Sequence, residues 1–417
     1  MQPVLPFSNI VLVTLDCVRP DFLGCYGCQS VTTKTIDRLA RHGIVCEQAI
    51  SQAPNTWVSH AGILTGLYPP GHALRGPYDR MDPSIPTLAS VLSQHGYATA
   101  GFPGNDLVGS KAGFHKGFDL FFEHYQDCGA ELASVNGITA NYRNTWDDVM
   151  EACREWLQRA EQPFFLWLHY FDTHHLPYCD MPDFYRFGSQ DQWQFYEGKI
   201  SYADQRCVGS LVDLLIETDS YEKTLIVVAA DHGEELRPGA TPAHNGALSD
   251  AVLRVPLIVF AEGLPWKGVR ISAQVRTIDL VPTILSLVLG GKAFGRRGSE
   301  PTFSGCPLPL PGWDTPVTKH QGRYRHVAYA ENEPLGISCI RTDAWKLVVG
   351  PRGEALYHLP SDPEEVKNVV SRYPSTAAYL AHELEQLLAT LPAGTRTPGT
   401  RDGEETRKLL RALGYIE

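Results

Sequence analysis

Several features are scarce or missing in this chain of 417 residues. No apolar run reaches the roughly eighteen residues that a membrane-spanning helix needs. Residues 1–6 contain neither a basic stretch nor an apolar core, so we do not expect a secretory signal. These absences predict a cytoplasmic protein that does not associate with a membrane.

Positive charge is in the minority. The chain has 36 Lys and Arg residues against 47 Asp and Glu residues, which gives a formal net charge of -11. This balance argues against binding a nucleic-acid polymer through bulk electrostatics. It leaves room for a small anionic substrate, because a metal ion or a local cluster can reverse the field inside a pocket.

Paired cysteines are rare as well. The ten cysteines are scattered singly, except for Cys25 and Cys28, and no nearby histidine or second pair completes a zinc-binding motif. We therefore expect free thiols in a reducing compartment rather than a disulfide framework. The chain is 43% hydrophobic, which is enough for a large core, and we expect one large and one small domain.

Three long apolar runs each end in an aspartate. In chain order they are Asn9–Asp16, Pro163–Asp172 and Thr224–Asp231. Such runs are typical of strands buried on both faces of a parallel sheet, and the ligand sites of such sheets lie at the carboxyl ends of the strands. His174 and His175 follow the second run and His232 follows the third. The sequence therefore predicts a functional site where these strands end.

Helical patterns alternate with these strands. They occur at 35–43, 85–96 and 145–160, and they favour an α/β fold with a large, doubly wound, mostly parallel sheet and helices on both faces. Later in the chain the pattern changes to short strands and to helices predicted over 373–391 and 403–413. The predicted divisions are a catalytic domain over 1–290, a linker or long loop rich in Gly, Pro and Arg over 291–322, and a small C-terminal α+β subdomain over 323–417.

The segment Ala53–Gly66 combines a turn-prone Pro54-Asn55 pair with a short apolar run that closes on glycine. This pattern is typical of a loop that leads into a helix. Thr56 stands where a helix N-cap would stand, and one interpretation is that it only caps the helix. The other is that its hydroxyl, at the positive end of the helix dipole, is a nucleophile that attacks and then carries an anionic group.

Thr56 and the strand-end residues have the donor types of a metal site. Asp16 and Asp231 would supply carboxylate oxygens, and His232 an imidazole nitrogen. With the Thr56 hydroxyl they would hold a divalent cation, with Mn²⁺ or Zn²⁺ favoured and Ca²⁺ or Mg²⁺ as alternatives. A bound cation would also lower the pKa of that hydroxyl enough for attack at neutral pH.

The order of several short motifs resembles the sulfatase branch of the alkaline phosphatase superfamily over nearly the whole chain. The motifs are Val11–Arg19 with Leu23–Gly27, Thr35–Ala40, Val228–Glu234, Arg254–Ile258, Asp279–Thr283, and Leu356–Glu364 with Asn368. The resemblance implies the fold of that superfamily and a metal-dependent hydrolase of anionic esters. Val11–Arg19 and Val228–Glu234 resemble its metal-binding segments.

The nucleophile segment departs from the family pattern. The sulfatase motif reads C-x-P-S-R-x-x-x-L-T-G, and alignment on Leu64-Thr65-Gly66 places Thr56 at its cysteine, Ser59 at its serine and His60 at its arginine. Threonine cannot mature to formylglycine, because its β-carbon carries a methyl group and oxidation would give a ketone. The resemblance instead links Thr56 to the phosphodiesterase, nucleotide pyrophosphatase and phosphoethanolamine-transferase branches, which use a threonine nucleophile.

The resemblance also assigns substrate contacts. Asn105 corresponds to an asparagine that holds a phosphoryl oxygen in the phosphodiesterase branch. His174 matches a histidine that contacts the substrate or leaving group and is a candidate general acid. His244 is a candidate oxyanion contact.

Further residues concern the number of metal ions. Cys17 replaces the family's usual second aspartate, so the metal site has one carboxylate ligand fewer than the family pattern. Asp172, His175 and His60 are possible contacts to a second metal or to the substrate, together with His174 or His244. We favour one metal ion over two, because the spacing of Asp172 and its following histidines differs from that of two-metal relatives.

These observations predict hydrolysis of phosphate monoesters, phosphate diesters or phosphonate esters through a covalent Thr56 intermediate. Three alternatives stay open at this point. The chain could hydrolyse sulfate esters, transfer a phosphoryl group to an acceptor other than water, or be a non-catalytic relative. The predicted partner is a small anionic ester, and the sequence does not indicate an oligomeric state.

Overall fold

An eight-stranded sheet forms the centre of this computed structural model, which describes residues 7–76, 79–123, 146–174, 192–236, 244, 246–290, 303–311, 322 and 324–398. The strands are β1 (Asn9–Leu15), β2 (Ile44–Cys46), β3 (Ala49–Ile50), β4 (Asp79–Arg80), β5 (Ala98–Phe102), β6 (Leu120–Phe121), β7 (Phe164–Tyr170), β8 (Thr224–Ala230), β9 (Arg254–Val255), β10 (Leu257–Phe260), β11 (Val269–Ile271), β12 (Val275–Arg276), β13 (Ala328–Asn332), β14 (Ile337–Arg341), β15 (Trp345–Gly350), β16 (Gly353–His358) and β17 (Thr397–Pro398).

Helices surround this sheet and extend into the C-terminal part. They are α1 (Lys34–His42), α2 (Thr56–Thr65), α3 (Pro69–His72), α4 (Leu88–Gln94), α5 (Trp146–Leu157), α6 (Gln192–Tyr202), α7 (Ser210–Glu217), α8 (Asp250–Leu253), α9 (Leu280–Leu289) and α10 (Pro374–Thr390). A π-helical turn, Ala203–Gly209, joins α6 to α7. No helix within the described residues combines the length and the apolarity needed to cross a membrane.

The large sheet has the strand order β11-β2-β10-β8-β1-β7-β5-β6. Only β10 runs antiparallel to its neighbours, and the other pairs are parallel. Strands β1, β7 and β8 are fully buried, because each is covered on both faces, as their continuous apolar sequences predicted. The predicted α/β fold with a mostly parallel sheet is confirmed.

Register aligns the ends of the three central strands. Leu15, the last residue of β1, lies opposite Tyr170 of β7 and Ala230 of β8. The next residue of each strand therefore emerges at one edge of the sheet. This alignment brings Asp16 and Asp231 side by side, although they are far apart in the chain.

The C-terminal part contains a separate antiparallel sheet of four strands, in the order β13-β14-β15-β16. Helix α10 packs on it through Ala377, Leu380, Leu384 and Leu387, which share a hydrophobic cluster with Leu347 and Leu356. This is the small α+β part that the sequence predicted. The helix predicted over 403–413 lies outside the described residues, and the division into 1–290, 291–322 and 323–417 stays a prediction.

Candidate active site

The two strand-end carboxylates form the base of the candidate site. Asp16 and Asp231 are both fully buried. Oδ1 of Asp231 accepts hydrogen bonds from the backbone N–H groups of Cys17 (3.2 Å) and His232 (2.7 Å). Within the described residues no lysine or arginine contacts either carboxylate, so their charge is not balanced by a basic side chain.

Cys17 adopts an unusual conformation at this edge of the sheet. Its φ is 57°, in the left-handed region that L-residues with a Cβ rarely occupy. The turn folds the thiol back onto Asp16, with Sγ 2.7 Å from Oδ1, and places it 3.8 Å from Nδ1 of His244. Backbone strain of this kind often accompanies a functional site, and here it is what brings the Cys17 N–H to Asp231.

Helix α2 delivers the candidate nucleophile. Asn55, with extended backbone, occupies the N-cap position and makes no side-chain cap bond, so Thr56 is the first helical residue rather than the cap. The helix ends at Gly66, whose φ of 70° suits glycine at a helix C-terminus. All ten residues of α2 are buried. Ser59 ties the helix to the end of β8 through a hydrogen bond from its Oγ to the Asp231 carbonyl oxygen.

Thr56 contacts the strand-end residues directly. Its Oγ1 lies 3.3 Å from Oδ2 of Asp16 and 3.3 Å from Nε2 of His232. Nε2 of His232 lies 3.5 Å from Oδ2 of Asp231. The structure therefore brings together all four residues predicted to hold a metal ion.

The donor atoms fit a divalent cation. Asp231 Oδ2 is buried and makes no hydrogen bond, and the donors of Asp16, Asp231 and His232 lie within 4.8 Å of one another. Four ligands placed tetrahedrally about 2.1 Å from a zinc ion are roughly 3.4 Å apart, close to the separations observed. Buried carboxylates without a basic partner are unfavourable, and a bound cation would remove that cost.

Burial also governs the protonation of this group. Burial raises the pKa of Asp16 and of Asp231, and His232 only partly offsets this effect. For His232 burial acts to lower the pKa, but Asp231 and Asp16 outweigh it and the pKa is raised. Without a cation these three groups therefore favour sharing a proton, whereas a bound cation would favour the deprotonated ligands.

Two further histidines extend the site. The ring of His244 lies 4.5 Å from that of His232, and His174 lies 5.3 Å from His244. Nδ1 of His244 is 3.2 Å from a carboxylate oxygen of Glu234. Burial, followed by the neighbouring His232, lowers the pKa of His244 well below its ordinary value, so its imidazole is neutral at pH 7.

A second layer of buried polar groups lies beneath Asp16 and Asp231. Nδ1 of His60 is 3.6 Å from Oδ2 of Asp231, and the His60 and His169 rings are 4.2 Å apart. Nε2 of His169 lies 3.4 Å from Oδ2 of Asp16. Thr14 connects the two rings through its hydroxyl. Burial lowers the pKa of His60 to about 3 and that of His169 to about 4.

The remaining predicted residues differ in what surrounds them. Asn105 is buried after β5 and caps a 3-10 turn, Asp106–Val108, by accepting a hydrogen bond from Leu107 N (2.9 Å). The preceding residue, Gly104, packs tightly against β7. A side chain there would not fit, because its Cβ would lie 2.5 Å from the carbonyl oxygen of His169. Asp172 is buried just after β7, but belongs to none of the metal-ligand groups found among the described residues. His175 lies outside the described residues.

The sequence assigned no role to Thr14, Glu234 or His169, and it assigned His60 only a possible contact to a second metal or to the substrate. Thr14 is two residues before Asp16 on β1 and therefore points to the same face of the strand. His60 is four residues after Thr56 on α2 and lies on the same side of the helix. Glu234 follows His232 in the Asp-His-Gly-Glu segment. His169 carries no such signal, since its contact to Asp16 depends on the pairing of β7 with β1.

Comparisons with known proteins show the family and the fold of this chain. The family model described as Sulfatase matches residues 8–291. Arylsulfatase A of Homo sapiens is 25% identical over 424 aligned residues, which cover 85% of this chain and 77% of that protein.

Solved structures share the fold at lower sequence identity. A phosphonate monoester hydrolase of Agrobacterium radiobacter is 18% identical, with a TM-score of 0.73 over 92% of this chain and 95% of its own. A protein solved in complex with its substrate D-glucosamine-2-N,6-O-disulfate is 17% identical, with a TM-score of 0.71 over 93% of this chain and 100% of its own. The same architecture therefore occurs in proteins with phosphonate and with sulfate substrates.

Proposed function

The chain belongs to the sulfatase family, and from this premise we propose that it is a metal-dependent hydrolase of phosphate or phosphonate esters with Thr56 as the covalent nucleophile. The single observation that carries this proposal is the position of Thr56 Oγ1, 3.3 Å from both Asp16 Oδ2 and His232 Nε2. A threonine that served only to begin the helix would not need its hydroxyl in contact with both a buried carboxylate and a buried imidazole.

Asp16, Asp231 and His232 would hold the cation together with Thr56. When bound, the cation lowers the pKa of the Thr56 hydroxyl and neutralises charge on the substrate. The N-terminal turn of α2 directs backbone N–H groups towards an anion next to Thr56. The Thr56 nucleophile would therefore lie next to two sources of positive potential, the bound cation and the N-terminus of α2.

The reaction proceeds in two displacements. Thr56 Oγ1, which has given its proton to solvent, forms a bond to phosphorus while the bond to the leaving oxygen breaks, and that oxygen takes a proton from His174. A water molecule then gives one proton back to His174 while its oxygen bonds to phosphorus. The bond between phosphorus and Thr56 Oγ1 breaks, and Thr56 returns to the deprotonated form that began the cycle. Asn105 donates a hydrogen bond to a non-bridging oxygen, which gains charge in the transition states.

The threonine favours phosphorus over sulfur. A formylglycine hydrate can release sulfate by eliminating it, but Thr56 cannot be converted to formylglycine. A sulfated threonine would have to be cleaved by water attack at sulfur, whereas a phosphorylated threonine is cleaved by the same in-line attack that formed it. For this reason the phosphoester is the preferred substrate class.

Hydrolysis of a sulfate ester is the second candidate. It is supported by the match to the family model and by the similarity to arylsulfatase A. The two candidates share the same metal ligands and differ in the atom that Thr56 attacks. They are therefore separated by substrate rather than by site.

A panel of aryl esters tests the proposal. Purified protein would be stripped with a chelator, reloaded with Zn²⁺, Mn²⁺ or Ca²⁺, and assayed on a phosphate monoester, a phosphate diester, a phosphonate monoester and a sulfate ester of one common phenol. We expect turnover of a phosphorus ester that returns only with added metal. Turnover of the sulfate ester alone would establish the second candidate instead.

Mass spectrometry of rapidly quenched reactions tests the nucleophile. We expect a phosphoryl group on the peptide that contains Thr56 and none in the Thr56→Ala variant. A fully active Thr56→Ala variant would exclude the covalent mechanism. If an added alcohol captured most of the phosphoryl group, the protein would be a transferase instead.

A further inference from the structure

His169 was given no role in the reaction, yet its side chain is aimed at the candidate metal site. The residue lies in β7 and its side chain is completely buried. Nε2 is 3.4 Å from Oδ2 of Asp16 and makes no hydrogen bond. A polar atom in this position needs a partner, because leaving a buried polar group unsatisfied is destabilising.

Hydrogen bonding fixes the tautomer of the neighbouring His60. Its Nδ1 is 2.8 Å from the carbonyl oxygen of Thr56, an atom that can only accept, so Nδ1 carries the hydrogen. Nε2 of the neutral ring then has a lone pair and lies 2.9 Å from the Thr14 hydroxyl. Thr14 donates its one hydroxyl hydrogen to His60, because this acceptor is closer than the Leu168 carbonyl oxygen at 3.4 Å.

The tautomer of His169 follows from this assignment. Nδ1 of His169 lies 3.2 Å from Oγ1 and 3.3 Å from the carbonyl oxygen of Thr14. Since the Thr14 hydrogen is already used, both oxygens can only accept, and Nδ1 of His169 must donate. Its Nε2 therefore presents a lone pair to a carboxylate oxygen of Asp16.

Two lone pairs at 3.4 Å repel each other in a buried site unless a cation or a proton lies between them. A divalent cation can bind both lone pairs at once. Donor atoms of His169 and Asp231 also lie within 4.8 Å of each other. His169 thus approaches both of the carboxylates that define the metal site.

We propose that Nε2 of His169 is an additional ligand of the cation held by Asp16, Asp231 and His232. His60 and Thr14 are positioning residues that keep His169 in the tautomer able to bind metal, as the outer partners of ligating histidines do. The inference rests on the metal dependence in the proposed function and extends its ligand set. With two imidazole nitrogens, this set favours Zn²⁺ over Ca²⁺ or Mg²⁺, which prefer oxygen donors.

Metal binding by the full-length protein tests the ligand. Wild type, His169→Gln and Thr14→Val would be stripped and titrated with Zn²⁺ against a chromophoric chelator, and the visible spectra of the Co²⁺ forms compared. We expect His169→Gln to weaken Zn²⁺ binding by at least about 100-fold and to change the Co²⁺ spectrum. Removing the Thr14 hydroxyl should weaken binding by about 10-fold, in the range found for outer partners of metal ligands.

His72→Gln is the matched control. His72 is also fully buried and its pKa is lowered by burial to about 3, but it lies on α3, and its Nδ1 accepts a hydrogen bond from Leu74 N. This variant should retain wild-type affinity and an unchanged Co²⁺ spectrum. A folded His169→Gln protein with affinity within threefold of wild type and the same spectrum would overturn the proposal.

If His169→Gln does not fold, NMR of the wild type can test directly whether His169 binds the metal ion. With isotope-labelled histidine and an NMR-active cadmium isotope, we expect two imidazole nitrogens coupled to one metal ion, and coupling to only one would refute the inference. These readouts report metal binding and not turnover. A protein that binds metal through His169 but cleaves none of the esters would therefore contradict the proposed function alone.

Discussion

Two buried clusters of charge in this molecule are balanced in different ways. The strand-end cluster (Asp16, Thr56, Asp231 and His232) has two buried carboxylates and no contact from a lysine or arginine of the described residues. The Lys346 network (Asp250, Arg341, Lys346 and Glu365) lies between α8 and the C-terminal sheet and contains its own cations. Lys346 Nζ is 2.7 Å from Asp250 and 2.7 Å from Glu365, and Arg341 is 2.8 Å from Asp250.

The pKa shifts of the two clusters have opposite signs. Burial acts to raise the pKa of Asp250, but Lys346 and Arg341 outweigh it and hold the pKa below its ordinary value. Burial raises the pKa of Asp16 and Asp231, and the neighbouring histidines offset this effect only in part. The Lys346 network therefore balances its own charge, whereas the strand-end cluster has the donor set of the cation in the proposed function.

Removing the nucleophile should give the largest effect on the strand-end cluster. Thr56→Ala is expected to lower kcat by at least about 10⁴-fold, as loss of a covalent nucleophile does, while the melting temperature changes little. Thr65→Ala, at the other end of the same buried helix, should keep kcat within about threefold of wild type. Steady-state kinetics and thermal unfolding measure both. Equal losses in the two variants would show a general effect on α2.

Substitution of Lys346 should lower the stability of the fold but leave turnover nearly unchanged. Lys346→Met leaves Glu365 and part of the Asp250 charge buried without their partner, and we expect the free energy of unfolding to fall by about 3–5 kcal/mol. Turnover per folded molecule should stay within about threefold. Denaturant unfolding measures this, with the exposed Lys267→Met as the control. A tenfold fall in kcat without loss of stability would contradict a purely structural role for the Lys346 network.

Neutralising one carboxylate should have opposite consequences with and without metal. In chelator-treated protein, Asp231→Asn is expected to raise the free energy of unfolding at pH 7 by about 1 kcal/mol, because it removes an unbalanced buried charge. The asparagine Oδ1 can still accept from Cys17 and His232. With Zn²⁺ present the same variant should be the less stable one, since it loses a ligand. Destabilisation by Asp231→Asn in both conditions would contradict an unbalanced site.

The smallest effect concerns pH. The pKa of Asp231 is raised in the folded state, so the folded metal-free protein binds more protons than the unfolded chain above the ordinary value of 3.8. Its stability must therefore fall as pH rises through that window. The advantage of Asp231→Asn at pH 7, about 1 kcal/mol, should therefore disappear on acidification towards pH 3.8.

Asp250 should show the reverse dependence. Its pKa is lowered in the folded state, so its contribution to stability is lost as pH falls below the ordinary value of 3.8. Urea unfolding of metal-free wild type, Asp231→Asn and Asp250→Asn from pH 3 to 7 measures both signs. The same slope for the two variants would refute the distinction between the clusters.

Local sequence patterns predicted the main elements well. The apolar runs ending in Asp16, Asp172 and Asp231 correspond to β1, β7 and β8, since a strand buried on both faces must be apolar throughout. Helices α6 and α7 and strand β16 were not predicted. The sequence of α6 has almost no amphipathic contrast, since Trp193, Phe195, Tyr196 and Ile200 alternate irregularly with polar residues.

Part of the candidate site was also visible in the sequence. Asp16, Asp231 and His232 were found because they end strands, and Thr56 because it follows a turn and begins an apolar segment. Thr56 was placed as a helix cap or a nucleophile, and the structure shows that Asn55 occupies the cap position. Cys17 was recognised only as a missing aspartate. Its left-handed backbone and its contact to Asp16 are not encoded in a local motif.

The family, the α/β fold and the chemical types of the strand-end residues could be predicted from the amino-acid sequence, because each depends on periodicity and short motifs. Which of these atoms come into contact depends on the three-dimensional packing. Thr56 lies 40 positions from Asp16 and 176 from His232, and His169 meets Asp16 only because β7 pairs with β1 in one register. Such contacts depend on how strands pair and how α2 packs against them, and no local pattern in the sequence specifies that geometry.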